Sequence, residues 1–74
     1  MVFETVRALL AQQLGDSEES ITRLSTFEEL EMQMSDVQDI MLLLDQEFDL
    51  QWTQEELSKL ETVADLTAFV ESQI

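Results

Sequence analysis

The chain has 74 residues, no cysteine and no histidine, and carries 17 acidic against 3 basic side chains for a net charge of −14. That size allows one domain, residues 1–74, with one modest core and no deep enzyme cleft. Thiolate chemistry and Cys/His zinc sites are excluded, the commonest general base is missing, and the charge repels nucleic acid and anionic membranes. A hydrophobic content of 45% is too high for a disordered acidic tail. No segment has the length of a membrane span, and Met1-Val2-Phe3-Glu4 lacks the basic region of a signal peptide, so a cytoplasmic, monomeric protein is expected.

The first element reads clearly. Val2, Phe3, Val6, Leu9, Leu10 and Leu14 recur at three- and four-residue intervals, which predicts an amphipathic helix over 2–14. Gly15 is placed to end it in a left-handed conformation. Residues 16–34 hold no sustained period and read as a long loop, with Ile21, Leu24, Phe27 and Leu30 as anchors on the core.

A second helix is expected to start at Ser35. Ser35 and Gln38 have the spacing of a capping box, with Ser35 as N-cap. Val37, Ile40, Met41, Leu44 and Phe48 form its apolar stripe. Leu42 and Leu43 widen that stripe, so this helix is expected to be the most buried. Thr53 and Glu56 form a second capping box, opening a short third helix near 54–60. Thr62 and Asp65 cap a fourth, with Val63, Leu66, Phe69, Val70 and Ile74 on its apolar face. These elements make an all-α fold, a small four-helix bundle with a short third helix and a long loop between the first two.

Several clusters invite chemistry and do not carry it. Asp45 through Gln51 with Glu56 mimics the oxygen spacing of a calcium loop, but Leu50 stands where that loop needs glycine. Glu28-Glu29 and Glu55-Glu56 are sequence neighbours that point apart on a helix, and nothing buries them to separate their pKa values.

Thr26-Phe27-Glu28-Glu29-Leu30, the acidic apolar run ending in Gln46-Glu47-Phe48-Asp49, and Thr62-Val63-Ala64-Asp65-Leu66 stand in the order and spacing of an acyl carrier protein. The chain resembles that family over nearly all of its length. The resemblance implies a non-enzymatic carrier. In the family, 4′-phosphopantetheine is joined to a serine at the start of the second helix by a phosphopantetheinyl transferase. Its thiol then holds acyl thioesters for fatty-acid, polyketide or hybrid synthase enzymes. An imported thiol also reconciles thioester chemistry with a chain that has no cysteine. Trp52 reads as a core or edge residue closing the second loop, with the lining of an acyl chamber as the alternative.

The match departs at the attachment point. Counted without gaps from Leu30, or backwards from Phe48-Asp49, the family's serine falls on Met34. Ser35 is reached by a one-residue shift in the preceding loop and is the expected attachment point. Asp36, Asp39 and Asp45 match acidic positions that carriers present to basic patches on partner enzymes, and Met34 is a candidate apolar contact beside them. Two other readings stay open: a carrier-fold interaction protein without the arm, and an acidic mimic that occupies a basic groove on another protein.

Overall fold

The computed structural model describes residues 2–74; Met1 lies outside them. Four helices follow in order: α1 (Val2–Leu14), α2 (Met34–Phe48), α3 (Gln54–Ser58) and α4 (Val63–Glu71). Among the described residues no strand forms. One isolated antiparallel bridge joins Thr26 to Thr62.

The 3.6-residue period sets what each helix buries. Val2, Val6, Leu10 and Ala11 of α1 face the interior, as do Val37, Ile40, Met41 and Leu44 of α2 and Val63, Leu66, Thr67 and Val70 of α4. Thr67 is the one polar member of that group, and its hydroxyl donates to Val63 O at 2.9 Å within its own helix. α3 contributes Leu57 alone. Trp52 packs half-buried against this core. Gly15 takes φ +71° just after α1, where a side chain would be strained.

The helix starts follow local capping chemistry. Thr53 Oγ1 accepts from the Glu56 N–H at 3.1 Å while Glu56 Oε1 accepts from the Thr53 N–H at 2.9 Å. Thr62 and Asp65 repeat the exchange at 3.0 and 3.1 Å. The backbone N–H groups of Glu61 and Thr62 hold the Asp65 carboxyl below its ordinary pKa, because they bond its charged form.

The long loop is a built element. It opens with a turn of 3₁₀ helix, Glu18–Ser20. Ser25 O and Arg23 O then accept from the N–H groups of Val63 and Ala64, each at 2.9 Å, and the Phe27 N–H donates to Glu61 O at 3.0 Å. Arg23 of the loop stacks on Phe3 of α1, 4.3 Å from its ring centroid, and Arg7 of α1, 5.2 Å from the same ring, pairs with Glu18 of the loop at 3.7 Å, so two of the three cations tie the loop to α1. Three of the four expected anchors reach the core: Ile21 and Phe27 are buried and Leu30 is half-buried.

Three expectations are corrected. Leu24 is 82% exposed. It sits at the tip of a turn closed by Ser25 N–H to Thr22 O at 3.1 Å, and the carbonyls on either side of it are held by α4, which leaves its side chain no way inward. Leu42 and Leu43 are 52% and 38% exposed, so they do not widen the buried stripe. Steps of about 100° turn both away from Ile40 and Leu44, and α2 packs on α1 and α3 on its other side. Ile74 lies beyond the end of α4 and is exposed.

Candidate functional site

The segment leading into α2 is fixed by two apolar plugs, Phe27 and Met32, both buried. The Met32 N–H donates to Phe27 O at 2.9 Å, closing the turn between them. That turn needs a left-handed residue at position 31, and Glu31 supplies it at φ 59°. Gln33 is then extended, and α2 begins at Met34.

The expected cap is therefore corrected. Gln33 is the N-cap, and its N–H donates to Asp36 Oδ2 at 2.9 Å. Ser35 is the second residue of the helix, and the Ser35/Gln38 pairing does not form. The two overlapping registers differ in strength. A carboxylate at the third helical position makes a charge-assisted bond at the positive end of the helix dipole, which a Gln38 amide does not match.

Within this frame Ser35 is exposed, and its hydroxyl has no hydrogen bond among the described residues. Most other serines are engaged locally. Ser20, Ser58 and Ser72 donate to backbone oxygens three residues earlier at 2.6–2.7 Å, and Ser25 Oγ accepts from the Thr22 N–H at 3.0 Å. The backbone beside Ser35 is open as well. The N–H groups of Asp36 and Val37 reach Gln33 O at 2.9 and 3.1 Å, while those of Met34 and Ser35 have no acceptor among the described residues. An exposed hydroxyl beside two free N–H groups on the first turn of a 15-residue helix suits a phosphate ester. The Asp36 carboxylate, already on that turn, opposes it by like charge.

The other expected site residues separate. Asp39 is exposed on α2. Asp36 and Asp45 are half-buried, each with one carboxylate oxygen committed to the backbone: Asp36 to Gln33, and Asp45 Oδ1 to the Leu50 N–H at 2.7 Å. Met34 is 37% exposed on the flank of the helix. The outward stripe runs Ser35, Asp39, Leu42, Gln46, with Leu43 beside it. Sequence reasoning missed the two leucines as surface residues. The signal was present, because positions 35, 39, 42 and 46 fall on one line opposite 37, 40, 41 and 44.

A groove of about 490 Å³ lined by Val2, Thr5, Phe48, Glu71 and Ile74 lies at the far end of α2. Thirteen residues at 1.5 Å each put it roughly 20 Å along the helix from Ser35. It is not part of the Ser35 surface. Among the described residues no helix is long and apolar enough to cross a membrane.

No protein-family profile matches the chain. Individual relatives do. The acyl carrier protein of Streptococcus thermophilus strain CNRZ 1066 is 38% identical over 72 residues, covering 97% of this chain and 95% of the relative. That of Streptococcus pyogenes serotype M1 is 36% identical over the same coverage. The crystal structure of an acyl carrier protein from Thermotoga maritima superposes with a TM-score of 0.81 at 28% identity, covering 95% of this chain and 82% of the other. Near-complete coverage in both directions, together with the four-helix order and the tethered long loop, shows that the chain belongs to the acyl carrier protein family.

Proposed function

We propose that this carrier holds acyl groups as thioesters on a 4′-phosphopantetheine arm joined to Ser35, and presents them in the cytoplasm to fatty-acid, polyketide or hybrid synthase enzymes. The chain itself is a carrier and not an enzyme. The observation that carries the reading is the exposed, unbonded Ser35 hydroxyl beside the open N–H groups of Met34 and Ser35. The arm supplies the thiol that the sequence lacks. Ser35 Oγ is the oxygen available for the phosphodiester, and the two N–H groups face the anion. Asp39, with Asp36 and Asp45 flanking it, is the charge that a basic enzyme surface reads, and Met34 supplies apolar contact beside it.

Intact mass after co-expression with a broad-specificity phosphopantetheinyl transferase tests this. A gain of about 340 Da, the mass of the arm, is expected, and Ser35→Ala must abolish it. An unchanged wild-type mass sinks the assignment.

One observation favours a second reading. α2 begins at Met34, so Ser35 is inside the helical repeat and about 100° around the axis from Met34. In that reading the chain is a carrier-fold interaction protein without an arm. It predicts no mass gain, with salt-sensitive binding to a basic partner that Ser35→Ala leaves unchanged.

A further inference from the structure

The side-chain hydrogen bonds that cap helices and close turns here join residues three to five positions apart. Gln73 behaves differently. Its Nε2 donates to Gln51 O at 2.8 Å, and its Oε1 accepts from the Gln51 N–H at 2.8 Å, across 22 positions of sequence. A single side-chain amide thus satisfies both backbone groups of one residue, much as a neighbouring strand would. Gln73 follows α4, and Gln51 lies in the connection between α2 and α3.

That connection is otherwise held by buried Leu50, whose N–H donates to Asp45 Oδ1 at 2.7 Å, and by Trp52, half-buried against the core. α3 is five residues long and buries Leu57 alone. A helix of that length is unstable without outside contacts. Within the connection, Leu50 is the buried residue, and Leu50 and Leu57 both belong to the core. Segments with few buried side chains open locally at a cost well below that of global unfolding.

The geometry points to Gln73 as a latch that holds the α2–α3 connection and α3 closed over the core, with release of the amide uncovering Leu50 and Leu57 while α1 and the rest of the bundle stay folded. The latch is separate from any loading at Ser35, so Ser35→Ala leaves it intact.

Residue-resolved amide hydrogen exchange on the full chain tests the latch. In Gln73→Ala the amides of Gln51 and Leu57 are expected to exchange about tenfold faster, with Leu10 and Ala11 in α1 unchanged. Gln73→Glu keeps an acceptor for the Gln51 N–H but loses the donor, and falls between wild type and Gln73→Ala. Nile red, a neutral probe that the chain's charge does not repel, should fluoresce more with Gln73→Ala. Unchanged exchange at Gln51 and Leu57 overturns the proposal. Equal acceleration at Leu10 overturns it too, because the side chain then supports the whole fold.

Discussion

At the start of α4 the first four backbone N–H groups all find protein acceptors. Val63 and Ala64 donate to the loop carbonyls of Ser25 and Arg23, Asp65 donates to Thr62 Oγ1, and Leu66 donates to Thr62 O, all within 2.9–3.1 Å. At the start of α2 only Asp36 and Val37 do so among the described residues, both to Gln33 O, and the first two N–H groups find no acceptor there. Each helix begins with a carboxylate three residues past its cap, Asp65 and Asp36. What differs is the chain that approaches from outside. The long loop closes the start of α4 and runs into the start of α2 without covering it. One helix start thus serves as a structural joint and the other as an open, solvent-facing surface.

The largest expected effect comes from breaking the closed end. Thr62→Ala removes the Asp65 N–H acceptor at a joint where the loop is also fastened, and should cost about 1–2 kcal/mol. In a domain of this size that lowers Tm by about 4–16 °C, read by thermal denaturation followed by circular dichroism. A shift below one degree would mean the loop alone holds the joint.

Next is the approach to the open end. Glu31 occupies a left-handed position that costs an ordinary L-residue about 1–2 kcal/mol, so Glu31→Gly should stabilise the fold. The greater freedom of glycine in the unfolded chain offsets part of this, leaving a gain of about 0.5–1 kcal/mol in urea unfolding. A loss of stability would show that the Glu31 side chain makes a compensating contact.

Acid tests the closed start of α4 more finely. Asp65 has its folded pKa depressed by the Glu61 and Thr62 N–H groups. Its contribution is therefore fully present above its unfolded value of about 3.9 and is lost as pH falls through the lower folded value. The Tm difference between wild type and Asp65→Asn should be constant from about pH 7 to 5 and shrink below about pH 4. Taking the difference cancels the relief of carboxylate repulsion that both proteins share. A difference that grows on acidification would contradict the sign.

The smallest effect sharpens the contrast. Ser35 makes no hydrogen bond among the described residues, so Ser35→Ala should change stability by less than about 0.5 kcal/mol while removing the proposed attachment point. A larger cost would give the hydroxyl a structural role and weaken its reading as a free acceptor.

Much of this was legible in the sequence because the signals are local. α1 was expected over 2–14 and runs Val2–Leu14, since six apolar residues at helical spacing and one terminal glycine define it. The Thr53/Glu56 and Thr62/Asp65 boxes were readable because each pairs residues three apart in the same turn. The cap of α2 was misread because Gln33/Asp36 and Ser35/Gln38 offer the same spacing two residues apart. Choosing between them depended on where Phe27 and Met32 anchor the preceding turn. Leu24 looked like an anchor by type alone, yet the two carbonyls beside it are bound to another helix.

Composition and periodicity by themselves determined an acidic all-helical domain, the number and order of its helices, the span of α1 and most of its core, since these depend on interactions within one or two turns. The tertiary structure decided which helix start is sealed and which is open, which leucines of α2 meet solvent, and that Gln73 reaches Gln51. Each of those depends on which distant segment comes to lie alongside, and a linear pattern of residue types does not encode that proximity.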